Sequence, residues 1–151
     1  MIKIICVGKI KENFYKEAEK EYLKRLSKYT KIDLVEIPDQ NDQDINYALD
    51  KEKDLIIKSI KDKDNIIILD IKGNEYTSEE FSNFINSELT YNSNITFIIG
   101  SSNGLSEEIK KLASKSISFS KMTFPHQLFR IILLEQIYRG FKIINNESYH
   151  K

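Results

Sequence analysis

The chain has 151 residues, zero formal net charge, 40% apolar and 30% charged residues, which is the balance of one water-soluble globular domain with a sizeable core. Its longest apolar runs, Ile66-Ile67-Ile68-Leu69 and Ile131-Ile132-Leu133-Leu134, fall far short of the ~20 residues of a membrane helix. No cleavable leader pattern follows Met1, so a cytoplasmic protein with no membrane attachment is expected.

Residues 2–8 read as a short apolar strand. Across 11–29, Phe14, Ala18, Tyr22, Leu26 and Tyr29 recur at helical spacing among charges, which predicts an amphipathic helix. Residues 31–38 alternate apolar and polar and stop at Pro38, as a strand does, and 39–44 form a polar loop. A helix over 49–60 turns Leu55, Ile56 and Ile60 inward. A buried strand over 65–71 is closed by a turn at Lys72-Gly73-Asn74. Thr77-Ser78-Glu79-Glu80 has the form of a capping box and starts a helix through Phe81, Phe84, Ile85 and Leu89. Residues 94–100 are a further buried strand, and Ser106-Glu107-Glu108 caps a short helix. A last strand covers 116–120, and Pro125 opens a final helix reaching about residue 145, in the first-turn position that suits proline.

Five strands alternating with helices predict a single α/β domain whose mostly parallel sheet is covered on both faces. No repeat, low-complexity segment or linker divides it. Cys6 lies in an apolar strand and reads as a buried structural thiol. One cysteine and two histidines form neither a disulfide nor a metal cluster, so no metal is expected.

The final helix carries apolar residues nearly all round: Leu128, Phe129, Ile131, Ile132, Leu133, Leu134, Ile137, Tyr138, Phe141, Ile143 and Ile144. A helix packed on one side of a sheet needs only a stripe, so a homodimer with this helix in the interface is expected. Charge is also segregated. From Lys110 onward eight Lys and Arg face only Glu135 and Glu147, a net of +6 that the first 109 residues cancel. Such asymmetry hints at an anionic partner, against the plainer reading of a solvated lysine-bearing face.

Three strand ends carry ligand-site chemistry: Leu69-Asp70-Ile71-Lys72-Gly73, Ile99-Gly100-Ser101-Ser102-Asn103-Gly104, and Ser120 to Phe124. The carboxyl ends of parallel strands are where α/β proteins bind ligands, and Gly100 and Gly104 let backbone approach closely. Any βα turn can use glycine, so each is weak by itself. No Walker sequence or full dinucleotide fingerprint occurs, which disfavours nucleotide hydrolysis and nicotinamide chemistry. A signalling receiver needs clustered acids after the first strand, where this chain has Gly8-Lys9-Ile10-Lys11. A non-catalytic RNA-binding module would need no such convergence of turns, and no aromatic stacking strand or KH-type loop is present.

Ser120-Lys121-Met122-Thr123-Phe124-Pro125-His126 resembles the signature of the ribosomal large subunit methyltransferase H family, of the SPOUT class. The resemblance runs through Val7-Gly8-Lys9, Tyr29-Thr30-Lys31-Ile32, Phe97-Ile98-Ile99-Gly100 and Asn103-Gly104-Leu105. It continues in Glu135-Gln136-Ile137-Tyr138-Arg139 and Tyr149-His150-Lys151. Where the family shows two adjacent glycines, this chain has Gly100-Ser101. The resemblance implies a domain with a C-terminal trefoil knot, acting as a homodimer. It also implies methyl transfer from S-adenosylmethionine to N3 of a pseudouridine, at position 1915, in the 23S rRNA of the assembled 70S ribosome. Carried over by position, Leu69, Gly100, Phe119, Ser120, Lys121, Met122, Thr123 and Phe124 line the cofactor pocket. Tyr149, His150, Arg130 and Arg139 become the candidates for catalytic work: assisting loss of the imide proton at the tail, and engaging phosphate or an interface on the last helix. His126, beside the proline, is equally a packed or a turn-stabilising histidine.

Overall fold

Side-chain caps and apolar periodicity set most of the boundaries in the computed structural model, which describes residues 1–41 and 43–151. In chain order the elements are β1 (Ile2–Val7), α1 (Asn13–Leu26), β2 (Ile32–Ile37), α2 (Ile45–Ser59), β3 (Ile66–Glu75) and α3 (Ser78–Asn92). They continue as β4 (Ile95–Ile99), α4 (Glu107–Leu112), β5 (Lys115–Ser118) and α5 (His126–Ile144). Asp42, in the expected polar loop, lies outside the described residues.

All five strands are parallel, in the order β2-β1-β4-β3-β5. Side chains alternate across the sheet and so build two cores. Ile2, Ile4, Cys6, Ile67, Phe97 and Ile99 pack one face against α3 and α5. Ile5, Val7, Ile68 and Ile98 pack the other against Ile56 of α2 and Ile109 of α4. Every residue of β1 and β4 is buried, the mark of a strand covered on both faces.

The capping box forms as expected. Thr77 Oγ1 accepts from the Glu80 amide at 3.1 Å, and Glu80 accepts from the Thr77 amide at 2.7 Å. Helix α2 starts earlier than its apolar pattern indicates, because the Asp44 carboxylate caps it by accepting from the amides of Asn46 and Tyr47. Pro125 is the N-cap of α5 rather than its first helical residue. Its ψ of 138° is extended, while its carbonyl accepts from the Phe129 amide at 2.9 Å. Phe14 departs from the expected apolar face of α1: it is 61% exposed, with its ring tilted against that of Tyr15.

The expected turn at Lys72-Gly73-Asn74 is strand with a bulge. Leu69 and Asn74 both pair with Ile117, so the four residues between them are extra on β3. Gly73 permits this, since a Cβ there would lie 2.7 Å from the backbone of Ser116 and Ile117. The bulge leaves Asp70 and Ile71 without a strand partner on β5, and Ile71 is 48% exposed.

Among the described residues no helix is long and apolar enough to cross a membrane. The charge segregation seen along the chain is only partly offset in three dimensions. Arg130, Lys115, Lys110 and Arg139 each pair with an acid, and only the first three reach back to acids before residue 110. Lys111, Lys121 and Lys151 have no ion pair among the described residues.

Cys6 is buried with its thiol pushed up to about 12, first by desolvation. The native protein is therefore expected to resist maleimide at pH 8 and to react once unfolded in urea, as read by intact mass. Rapid labelling of folded protein would contradict this packing.

Candidate functional site

The carboxyl ends of β3, β4 and β5 open into a cleft of about 640 Å³, within the size range of small-molecule sites. It lies at the point where the strand order reverses: β4 sits between β1 and β3, and the chain leaves β4 to reach β5 on the far side of β3. Of the residues expected to hold a cofactor, Leu69, Gly100, Phe119, Ser120, Met122, Thr123 and Phe124 line this cleft. Lys121 does not; its side chain is exposed beside the wall.

Each wall has a local cause. The turn after β5 is held by hydroxyls: Ser118 Oγ donates to the Ser120 carbonyl at 2.9 Å, and Ser120 Oγ accepts from the Met122 amide at 2.9 Å. This compact turn leaves Met122 75% exposed at the rim. Beneath it Phe119 packs edge-on to Phe81, with ring centroids 5.5 Å apart, and Phe124 stacks on Phe129 at 6.3 Å. The turn after β4 is tightest at Gly100, where a Cβ would stand 2.4 Å from the Gly104 carbonyl oxygen. Ser101, in place of a second glycine, turns its hydroxyl away into the protein and donates to Glu52 Oε1 at 3.1 Å.

Sequence reasoning marked the strand end that holds Asp70 but missed its partner in the cleft, Lys110. Asp70, within the β3 bulge, pairs with Lys110 of α4 at 3.7 Å, and both line the cleft. Neither spacing nor composition signals that pairing, because it depends on the bulge. His126, left open by the sequence, lines the cleft with its ring against Gly8, whose Cβ position would be 2.9 Å from Nε2. The cleft is lined mainly by apolar side chains, with backbone in close approach at Gly100. This lining fits a nucleoside-bearing sulfonium such as S-adenosylmethionine.

The expected catalytic residues lie apart from this cleft. Arg130 is only 1% exposed, a correction to its expected place at a phosphate or interface. Its Nη1 donates to Glu19 at 3.0 Å and Glu36 at 2.8 Å, and its Nη2 donates to the Gly8 carbonyl at 2.9 Å. Its Nε is buried without a partner among the described residues. The guanidinium thus pins the end of β1 to α5, the kind of tie a planar fork of donors makes well.

Arg139, Tyr149 and His150 form a second cluster on α5. Arg139 donates to Glu135 at 2.6 and 3.0 Å and lies over the Tyr149 ring at 4.8 Å. Tyr149 donates to the same Glu135 oxygen at 3.1 Å. Burial, then the Glu135 charge, pushes its phenol up to about 12, so it is a donor and not a base at neutral pH. Arginine has no acceptor, so its 3.1 Å contact makes His150 Nδ1 the acceptor. Nε2 then carries the proton toward Glu79 at 2.7 Å. The tail is folded back on its own chain, and none of these three side chains lines the cleft of that chain.

This sheet order and cleft place the chain in a class, and comparison with known proteins agrees. The family described as "Predicted SPOUT methyltransferase" matches residues 1–150. A solved structure, of a probable methylase family protein from Haemophilus influenzae Rd KW20, shares the fold with a TM-score of 0.59 at 15% identity. That match covers 99% of this chain and 70% of the other. The fold is that of a SPOUT methyltransferase.

Among its relatives are proteins named ribosomal RNA large subunit methyltransferase H. The one from Clostridium botulinum (strain Langeland) is 55% identical, with 99% of each chain covered. The one from Caldicellulosiruptor saccharolyticus is 49% identical over the whole of both. The chain belongs to the ribosomal RNA large subunit methyltransferase H family.

Proposed function

We propose that the protein is an S-adenosylmethionine-dependent methyltransferase of large-subunit ribosomal RNA, acting at N3 of a pseudouridine, position 1915 of 23S rRNA, in the assembled 70S ribosome. The observation that carries the reading is the convergence of three strand-end turns on one cleft, within a chain half identical to relatives of that name along its full length. The cytoplasm, where ribosomes are, is the expected compartment.

Bound in the cleft, S-adenosylmethionine supplies a methyl group on a sulfonium, ready for in-line displacement. Leu69, Gly100 and the 119–124 turn orient it, and holding two reactants in line supplies most of the acceleration such chemistry needs. The imide proton must leave the acceptor nitrogen. Tyr149 is a hydrogen-bond donor here, while Arg139 brings a permanent positive charge to the tail. Turned from Arg139 toward substrate, His150 Nδ1 is suited to receive the proton, and the Arg139 charge to stabilise the imide anion. Arg130 acts at a distance, as a positioning residue beneath Gly8 and His126.

The separation of tail from cleft is resolved by a second copy of the chain. Helix α5 is flanked by α1 and α3, yet Leu128, Ile131, Ile132 and Ile143 remain half-exposed on it. A homodimer covering that apolar strip brings one protomer's tail to its partner's cleft, and a knot threading the chain after β5 is consistent with the step from β4 past β3 to β5. Sedimentation at micromolar concentration is expected to show a dimer, and a monomer alone would overturn this arrangement.

Labelled methyl from S-adenosylmethionine is expected to appear on ribosomes lacking the modification and to map to one pseudouridine. No label on ribosomes or free 23S rRNA, despite cofactor binding, would send the search to another acceptor. Tyr149→Phe together with His150→Ala is expected to lower transfer about a hundredfold while leaving cofactor affinity within a few-fold. Unchanged turnover would remove the tail from the mechanism.

A further inference from the structure

Glu52 of α2 is a carboxylate only 2% exposed that the methyl-transfer chemistry does not use. Its two oxygens bind different loops. Oε1 accepts from Ser101 Oγ at 3.1 Å, in the turn that walls the cleft, and Oε2 accepts from the Gln40 amide at 3.0 Å, in the segment after β2. Strands β2 and β4 flank β1, so one side chain ties together loops from two strands that do not touch. Ser101 is itself a hub. Its hydroxyl accepts from the Asn103 amide at 3.3 Å, and its carbonyl accepts from the Gly104 amide at 2.9 Å.

We propose that Glu52 is a positioning residue for the cofactor cleft: through Ser101 it sets the shape of the 100–104 turn, and through Gln40 it couples occupancy of the cleft to the segment after β2. This rests on the cleft being the cofactor site. A buried carboxylate is retained at a cost, and burial, offset in part by the hydrogen bond from the Gln40 amide, raises the pKa of Glu52 above the ordinary carboxylate value. The gain is geometric. With two glycines the turn would have more backbone freedom, whereas Ser101 bonded to Glu52 has one arrangement. The coupling follows from shared bonds: whatever moves Ser101 to fit a ligand moves the carboxylate, and with it the acceptor of the Gln40 amide.

The test compares amide hydrogen exchange at Gln40 and Asn103, with and without S-adenosylmethionine, in the wild-type chain and in Ser101→Ala and Glu52→Gln. Titration calorimetry supplies the cofactor affinities. Cofactor is expected to slow Gln40 exchange in the wild type. Ser101→Ala is expected to bind about tenfold more weakly and to lose that slowing. Glu52→Gln, whose carbonyl can still accept from Gln40 and whose NH₂ can donate to Ser101, is expected to restore both. Equal affinities in wild type and Ser101→Ala, with Gln40 exchange indifferent to cofactor, would overturn the proposal and leave the functional reading standing. Failure of the wild type to bind S-adenosylmethionine would overturn both.

Discussion

Arg130→Ala is expected to lower the unfolding free energy by about 3 kcal/mol, the size typical of breaking a buried charge cluster by removing one partner. The guanidinium is 1% exposed and satisfies three acceptors: two carboxylates and the Gly8 carbonyl. Alanine leaves Glu19 and Glu36 facing each other without a cation and leaves the Gly8 carbonyl unpaired. Glu36 also accepts from the Ile10 amide at 3.3 Å, so the loss spreads into the loop after β1. Arg130→Lys should recover only part, since an ammonium on a flexible stem cannot reproduce the planar fork. Urea melts of the two variants check this, and a loss below about 1 kcal/mol for alanine would mean that the cluster is energetically neutral. Because His126 rests on Gly8 and lines the cleft, the alanine variant should also bind cofactor less tightly than the lysine variant.

Gly100→Ala is expected to reduce affinity for S-adenosylmethionine at least about a hundredfold, the scale of effect that misplacing a positioned group by an ångström produces. A Cβ at this position meets the Gly104 carbonyl oxygen at 2.4 Å and its carbon at 2.7 Å, both backbone atoms that cannot rotate away. The turn must open, and it is a wall of the cleft. Gly104→Ala is the informative contrast. Nothing lies within 4 Å of its Cβ position, but its φ of +82° makes a side chain strained by about 1–2 kcal/mol. That variant should lose stability while binding cofactor within a few-fold of the wild type. Calorimetric titration beside thermal melts separates the two, and the idea fails if Gly100→Ala binds normally.

Much of the architecture was legible along the chain. Periods of 2 and 3.6 located five strands and five helices, and parallel pairing followed from their alternation. The capping box at Thr77 was readable because its two partners are three residues apart. The start of α2 was not, since a carboxylate cap at Asp44 outweighs a weak apolar pattern. The continuation of β3 through Lys72-Gly73-Asn74 was hidden because it depends on β5 lying close enough to exclude any Cβ.

The site divides in the same way. That the turns after the third, fourth and fifth strands meet at one edge was readable from residue type and position, because strand polarity sends all parallel carboxyl ends to one edge. Pairings between groups far apart in sequence were not: Arg130 with Glu19 and Glu36, Asp70 with Lys110, Glu52 with Ser101. An arginine amid apolar residues reads identically whether it faces phosphate or a buried acid. Local periodicity and turn chemistry are short-range properties, so the sequence by itself determined the elements, their polarity and the edge where the cleft opens. Tertiary structure alone decided which charges are buried and neutralised and which side chains meet in the cleft, because those outcomes depend on distances between segments that no local pattern encodes.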